Sequence, residues 1–447
     1  MCGIGGVFSD EISFDEKREI AKTMAISMHH RGPDASSVYI DENLVLAATR
    51  LAIVDTHCED AMIWNENKSS VIAFNGEIYN YSELRKELLK KYKFQTKTDT
   101  EVVLHLIEEY GTNGVHYLNG DFTFFFWDTD RLEGILARDG IGVKPLYYAS
   151  IGKTLVFASE IKPLLICFPE LDQIDNNAVY DYLTFRYVPG PRTVFKNIRK
   201  LEPGSYIAIN KMGYKIEKHW EIKSTDSNSN LLEEKNIIEL GRNILKQSVI
   251  DRMPNEVNYG ILLSGGLDSS LITAIVSNNV QQSLNTFSVI YDVNNYKDIS
   301  EHEYSRRVAN IFKTNHTELL VTAEMFQQAS LDAIYFMEEP VADPPATLLS
   351  LICEVSHQSV KVLLSGEGAD ELHAGYYVYL DMLKNREIYT GMGRLLTEED
   401  KLSLLSEDFR YSIERQVLDY YISQPLEGSN PDVSRRLNDM LITDMCH

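Results

Sequence analysis

Cysteine is scarce in this chain of 447 residues. The five that occur, Cys2, Cys58, Cys167, Cys353 and Cys446, are odd in number, widely spaced and include no Cys-x-x-Cys pair. That excludes a disulfide framework or a thiolate zinc site as the organising feature and fits a reducing, cytoplasmic compartment. Long apolar runs are also absent; none reaches the roughly 20 residues of a membrane-crossing helix. The N-terminus Met-Cys-Gly-Ile-Gly-Gly-Val-Phe lacks the basic segment of a secretory leader, and Asp10 and Glu11 follow at once. Positive charge is in short supply. The 43 Lys and Arg against 66 Asp and Glu leave a formal net charge of −23, which disfavours non-specific binding to nucleic acid or to an anionic membrane. What is present is a globular composition, 44% hydrophobic and 10% aromatic, in a chain long enough for two domains with separate cores.

The most informative stretch is Gly260-Ile-Leu-Leu-Ser-Gly-Gly-Leu-Asp-Ser-Ser270. Tyr259 to Leu263 predict a buried parallel strand, Ser264 to Asp268 a tight turn, and Ser269 to Asn278 a helix. Gly265 and Gly266 let the backbone approach an anion and visit positive φ, and the helix start offers free N–H groups and a positive dipole end. Ser264, Ser269 and Ser270 add hydroxyl donors, and Asp268 adds a carboxylate for a Mg²⁺ counter-ion. This pattern makes a pyrophosphate cradle, set against the plainer reading of an ordinary strand–turn–helix. It is not a Walker A loop, because it does not end in Gly-Lys-Ser/Thr. Further strands are expected at 284–290, 317–321 and 361–365, alternating with helices, and the last precedes Gly366-Glu367-Gly368-Ala369-Asp370-Glu371. Such alternation predicts a doubly wound parallel sheet with ligands at the carboxyl ends of its strands. Asp268 and Asp370 both follow such ends, which makes a shared Mg²⁺ the expectation. A helix over 231–251 opens this half, and the polar stretch Ser224 to Asn230 marks a linker, taken as 211–235.

At the other end, Cys2 directly follows Met1. If Met1 is removed, Cys2 carries both a thiol of pKa about 8.5 and an α-amine of about 7.7–8.0, so a base stays within reach of the nucleophile. Against this stands a small buried residue at a strand start. Asp15 to Met28 predict a helix, closed by the turn His30-Arg31-Gly32-Pro33-Asp34. Arg50 to Asp55 read as a strand that begins with a cation. Phe74 to Asn80 read as a turn, with Asn75-Gly76 suited to a type I′ hairpin. Thr98 to Glu101 form a capping box ahead of a helix over 99–110. Strands dominate to about Ile209, with two helices near 82–91 and 99–110.

In this order and spacing, Cys2, Arg50-Leu51-Ala52-Ile53-Val54, Asn75-Gly76-Glu77 and Asp99 resemble the class II glutamine amidotransferase domain, an N-terminal-nucleophile αββα sandwich, here spanning 2–210. Ser264 to Ser270 and Ser365-Gly366-Glu367 resemble the paired signatures of the ATP pyrophosphatases, placed in 236–447. The α/β chain as a whole is similar to the glutamine-hydrolysing asparagine synthetases from Cys2 to about Tyr377. The resemblance implies that Cys2 attacks glutamine and that Asn75 and Gly76 supply oxyanion donors. It implies that Arg50 pairs with the substrate carboxylate, that Asp99 takes its ammonium, and that Leu51, Ala52, Ile53, Val54 and Glu77 line the pocket. It further implies ATP contacts at Leu263, Val289, Ser365 and Gly366, pyrophosphate on Ser264 to Ser270, and help from Glu367 in forming an acyl-adenylate, which ammonia converts to an amide. The acceptor expected is aspartate. Two departures stand out. Glu339 to Thr347 is shorter than the family's matching segment, so the acceptor can differ. After Arg435 to Asp444 the family's Lys-Val-Asp-Arg-like segment does not follow before His447. The expectations attached to that are a partner chain or homodimer completing the site, a truncated chain, or an impaired synthetase half that leaves a glutaminase or a nucleotide-sensing subunit.

Overall fold

The computed structural model describes residues 1–222, 233–291, 302–376, 396 and 398–413. The polar stretch 224–230, Tyr377 and Arg435 to Asp444 lie outside the described residues. Two compact units emerge: Met1–Ser224 with Glu338–Val341 and Leu380–His447, and Thr225–Met337 with Ala342–Tyr379.

The first unit is built on two antiparallel sheets of six strands. One runs in the order β10 (Arg199–Lys200), β8 (Tyr147–Ile151), β9 (Thr154–Ala158), β1 (Gly3–Phe8), β3 (Leu44–Arg50), β2 (Ala35–Ile40). The other runs β12 (Gly213–Lys218), β11 (Ser205–Asn210), β7 (Glu133–Arg138), β6 (Gly120–Asp128), β5 (Ser70–Ile78), β4 (Met62–Trp64). The period-2 alternation of side chains sorts these strands into layers. Leu44 and Leu46 of β3 meet Phe125 and Trp127 of β6 between the sheets. Val45 and Ala47 point the other way, onto Met24 and Met28 beside α1 (Phe14–Ser27) and onto Ile161 and Leu164 of α4 (Ile161–Cys167). Phe122, Phe124 and Phe126 point outward to Val103, Leu104 and Ile107 of α3 (Asp99–Tyr110). Both faces of the central strands of each sheet are therefore buried, giving an αββα sandwich.

Several expectations change. Arg50 ends a strand rather than beginning one, and residues 51–55 leave the sheet as a loop. Asn75-Gly76 is no hairpin turn: β5 runs straight through it, pairing Asn75 with Thr123 and Gly76 with Phe122. Glycine is required there by close packing, since a Cβ at position 76 would stand 2.2 Å from the Asp121 carbonyl oxygen. The linker cannot begin at 211, because β12 pairs with β11 along its length; its polar sequence reflects an exposed edge strand. Helices α4 and α5 (Asn176–Phe185) were not anticipated, whereas α2 (Tyr81–Leu88), α1 and α3 fall where expected.

The second unit holds a four-stranded parallel sheet in the order β15 (Asn315–Val321), β14 (Asn285–Tyr291), β13 (Tyr259–Leu262), β16 (Val362–Leu364). Its helices are α6 (Glu234–Asp251), α7 (Leu267–Ser277), α8 (His302–Phe312), α9 (Ala323–Met337), α10 (Pro344–Ser356) and the short α11 (Ala369–His373). Chain order runs outward from β13 on one side and returns to β16 on the other, which is the doubly wound arrangement.

Phe125 is fully buried between the sheets and stacks on Phe157 with centroids 4.8 Å apart. Phe125→Ala is expected to cost about 3–5 kcal/mol of unfolding free energy, read from denaturant midpoints of the full chain.

Candidate functional site

Cys2 lies just ahead of β1, and the β1–β3 register sets Gly3 opposite Thr49. The chain leaving β3 therefore passes the thiol: the Leu51 N–H donates to Cys2 Sγ at 3.4 Å, and Sγ lies 3.8 Å from the Leu51 carbonyl. Arg31, buried in the turn after α1, donates its Nε–H to the Cys2 carbonyl at 2.9 Å and pairs with Glu160 at 3.0 Å, which His30 also contacts at 2.8 Å. Gly32 makes this possible, since a Cβ there would lie 2.3 Å from the Arg50 nitrogen. Asp34 accepts from the Ala52 N–H at 2.8 Å. The Arg50 guanidinium holds the following loop by the carbonyls of Val54 (2.9 Å), Asp55 (3.0 Å) and Cys58.

Around the thiol is a pocket lined by Cys2, Arg50, Leu51, Ile53, Val54, Gly76, Glu77 and Asp99 from the expected set, together with Asp60, Ala61, Ile63, Phe74, Thr98 and Thr100. Burial pushes the Cys2 thiol above its ordinary value, while the Leu51 N–H, the chain's amino terminus and Arg50 pull it back. Burial, then the neighbouring charge of Asp99, raises Glu77 well above the usual carboxylate range; Lys144 and the amino terminus oppose this. Burial likewise lifts Asp99 to about 6, although it accepts N–H bonds from Ile78 (3.0 Å) and Thr100 (2.8 Å). Two neighbouring carboxylates thus line one pocket short of positive charge. Asp99 is no surface charge compensating the α3 dipole; Thr98 caps that helix, while the Glu101 carboxylate turns to Gln95 and Thr96 instead of closing the capping box.

Ala52 and Asn75 are not in the lining. The Asn75 amide is fully buried, its Nδ2 3.5 Å from Thr123 Oγ1 and its Oδ1 without a partner. Sequence reasoning gave no role to Arg31, Asp34 or Glu160, although the turn at 30–34 stood out; nothing local announces that Arg31 ends on the Cys2 carbonyl.

In the second unit β13 and β16 are neighbours, Ile261 opposite Leu364, so their following turns meet. A Cβ on Gly366 would sit 3.0 Å from that of Asp268 and 3.4 Å from the Ser269 nitrogen. Gly265 takes φ +90°, packed so that a side chain would strike the Ser305 nitrogen at 2.5 Å; Gly266 is extended and begins α7 with no side-chain cap. The Ser264 hydroxyl accepts from the Gly266 N–H at 3.2 Å and meets Ser269 Oγ at 3.0 Å, while Ser270 N–H joins the helix through the Gly266 carbonyl. The turn thus joins a positive-φ glycine to a helix start that has no side-chain cap, the local geometry that suits an anion. Leu263 lies under the turn, buried, its N–H on Phe287 and its carbonyl on Ser288, and Val289 packs into the apolar clusters beside β14. Glu367 reaches toward solvent after Ser365-Gly366, yet partial burial and the charges of Glu371, Asp343 and Asp370 raise its carboxyl. Glu371 Oε2 is buried without a hydrogen-bond partner. This excess of carboxylate oxygen suits a divalent cation. Among the described residues no group of three or more His, Cys, Asp or Glu is placed to hold a metal ion by itself. Glu339, in the shortened segment, is buried in the first unit on Lys200 at 3.0 Å and on the Val194 N–H. No helix among the described residues is long and apolar enough to cross a membrane.

The Asp99 carboxyl has a folded value near 6 against an ordinary 3.8. Below both values it is neutral in both states. As pH rises between them, the unfolded chain ionises first, so this group's contribution to stability falls. Relative to wild type, Asp99→Asn is therefore expected to gain about 2–3 kcal/mol between about pH 4 and pH 7. A difference in denaturant midpoint that does not change with pH would contradict the buried, raised carboxyl.

Residues 1–220 match the family model described as a glutamine amidotransferase domain, and residues 241–445 match the one described as asparagine synthase. Asparagine synthetase [glutamine-hydrolyzing] 1 of Bacillus subtilis is 33% identical over 405 residues, covering 89% of this chain and 62% of that protein. A putative asparagine synthetase [glutamine-hydrolyzing] of Methanocaldococcus jannaschii is 30% identical, over 85% of this chain and 76% of that one. Asparagine synthetase B of Escherichia coli is 32% identical, over 87% and 67% respectively. Among solved structures, glutamine PRPP amidotransferase from B. subtilis overlaps 72% of this chain and 91% of that one at 15% identity, with a TM-score of 0.38. With both of its halves matched in order, and identity to these relatives along most of its length, the chain belongs to the family of glutamine-hydrolysing asparagine synthetases.

Proposed function

We propose that the chain hydrolyses glutamine at Cys2 and uses the ammonia to amidate a carboxylate activated by ATP, with aspartate as acceptor, asparagine as product, and AMP and pyrophosphate released. The observation that carries this reading is the convergence of a half-buried thiol, Arg50, Glu77 and Asp99 on one pocket. An amino-acid substrate brings one carboxylate, one ammonium and a side-chain amide. The ammonium supplies the cation that the Glu77–Asp99 pair lacks, and its carboxylate is the anion that Arg50 would share with the carbonyls it now holds.

Burial disfavours the thiolate, so a base at the nucleophile matters. Removal of Met1 would place an α-amine on Cys2 itself to take the thiol proton. As the amide carbon becomes tetrahedral, the Gly76 N–H would receive the oxyanion, and the Asn75 amide, which is outside the lining, would have to turn from Thr123 to join it. Ammonia leaves, and water hydrolyses the γ-glutamyl thioester.

In the second unit, the turn Ser264 to Ser270 would hold the pyrophosphate of ATP through backbone N–H groups and hydroxyls. The Ser365-Gly366 turn lies against it, and Glu367 follows at the place where the acceptor carboxylate would attack the α-phosphorus. Asp268 and Asp370 would hold Mg²⁺. When bound, the ion offsets the charge of the phosphate oxygens. A carboxylate other than aspartate is the second reading, favoured by the shortened segment 339–347.

Cys2→Ala is expected to abolish glutamine-dependent product while ammonia still supports it, with AMP release dependent on the acceptor, followed by nucleotide and amino-acid chromatography. If the wild-type chain releases no AMP with glutamine and any acceptor carboxylate, the synthetase half of this reading fails.

A further inference from the structure

Helix α3 carries a buried titratable cluster that the chemistry above does not use. His105 is 3% exposed and sits between two carboxylates of its own helix. Nδ1 is 2.7 Å from Glu108 Oε2. Nε2 is buried, makes no hydrogen bond, and faces Glu101 Oε1 at 3.7 Å. Tyr92 stacks on the ring at 4.5 Å and Phe94 meets it edge-on at 4.9 Å. Arg85 of α2 lies 4.1 Å over the Phe94 ring. Beyond Tyr92, Glu109 accepts the tyrosine hydroxyl at 2.9 Å and pairs with Lys91. On the far side, Asn65 donates to Glu108 Oε1 at 2.6 Å.

A neutral imidazole has one N–H. With that proton on Nδ1, the lone pair of Nε2 faces a carboxylate oxygen in a dry site, which is repulsive. With the proton on Nε2, the conflict moves to Glu108. Only the doubly protonated ring agrees with both neighbours. Burial opposes that charge, but Glu101 and Glu108 outweigh it and hold the imidazole above its ordinary value. In turn, although burial works against it, Glu101 is held below its own ordinary value by His105 and by the Gln95 and Thr96 donors.

Glu101 is where this charge is felt. Its carboxylate accepts the Gln95 N–H (2.7 Å), the Thr96 N–H (2.6 Å) and the Thr96 hydroxyl (2.7 Å). The Thr96 hydroxyl also meets Thr98 Oγ1 at 2.8 Å, and the Lys97 N–H donates to Asp55 Oδ2 at 2.8 Å. Thr98, Asp99 and Thr100, which follow, form a wall of the Cys2 pocket. The carboxylate beside His105 thus anchors the strip of chain that shapes that wall and ties it to the loop at Asp55.

We propose that His105 is a positioning residue for the glutamine pocket: as an imidazolium it neutralises the Glu101 carboxylate where it sits, and through Glu101 it holds residues 95–98 and the wall 98–100 in place. This rests on reading the pocket as a glutamine site. The stabilising charge is fully present below the unfolded imidazole value of about 6.5 and is lost as pH rises through the higher folded value. The KM for glutamine should therefore climb on the alkaline side.

The test is glutaminase kinetics of the full chain across the alkaline range for wild type, His105→Phe and Glu108→Gln. His105→Phe keeps a stacking ring without the charge. It is expected to raise KM for glutamine about tenfold, with kcat within about twofold, and to flatten the alkaline climb. Glu108→Gln keeps the imidazole and removes one carboxylate, so the climb should move to lower pH. His105→Phe with wild-type KM and an unchanged alkaline profile overturns the proposal. If that variant does not fold, an unmoved profile in Glu108→Gln overturns it equally. A wild-type chain that turns over no glutamine brings down the pocket reading as well, which separates the two failures.

Discussion

The pairing of β1 with β3 is the constraint on which the first unit depends. With Gly3 opposite Thr49, the residue before one strand and the residues after the other are brought together, and the Leu51 N–H reaches the Cys2 thiol. A slip of one residue would reverse every side chain on β1 and move the nucleophile away from Arg50. Several features hold this register. Ile4 exchanges hydrogen bonds with Ser159 on the other side of β1. Gly32 lets the turn after α1 press on the backbone of Thr49 and Arg50, and Arg31 clasps the Cys2 carbonyl. Alternating apolar residues on both faces of both sheets make the sandwich rigid beneath them, so polar side chains collect where the strands end.

Charge is the second theme of that pocket. Burial raises both Glu77 and Asp99, and the charge of Asp99 raises Glu77 further, while Lys144 and the amino terminus for Glu77, and Arg50 for Asp99, offer only partial relief. An arrangement of this kind costs stability in the free protein and is retained where a ligand can relieve it. The same logic runs one layer deeper. Glu101 can stay ionised in a dry place because His105 stands beside it, and the loop it anchors becomes the pocket wall. The two sets of carboxylates differ in what neutralises them: on the function proposed above a substrate ammonium would meet the first pair, whereas Glu101 has its cation built in.

In the second unit the comparable constraint is parallel pairing of β13 with β16. The two strands lie about a hundred residues apart in the chain, yet their carboxyl ends adjoin, so a glycine turn rich in N–H and hydroxyl donors lies against a turn that leads into three carboxylates, Glu367, Asp370 and Glu371, with Asp343 near Glu367. An anion cradle beside an acidic cluster is the combination that a phosphate ester with its counter-ion would fill.

The sequence by itself determined the elements whose cause is local. The apolar run before Ser264, the glycines of the turn and the helix after it are fixed by short-range sterics and periodicity, and so are α1 and α3 with its Thr98 cap. The family resemblance led to the expectation that Cys2, Arg50 and Asp99 share a pocket, and they line one together. What only the tertiary structure decided is what depends on neighbours far away in the chain. Asn75-Gly76 has the composition of a hairpin turn, but β6 and the Asp121 carbonyl turn it into mid-strand. Gly213 to Lys218 has the composition of a linker, but β11 supplies the partner that makes it a strand. Arg31 and His105 look ordinary in sequence; their meaning comes from a carbonyl 29 residues back and from a loop whose anchor lies one turn away. Local preference is a weak energy, and a buried backbone or charge that needs a partner overrides it wherever packing brings one within reach.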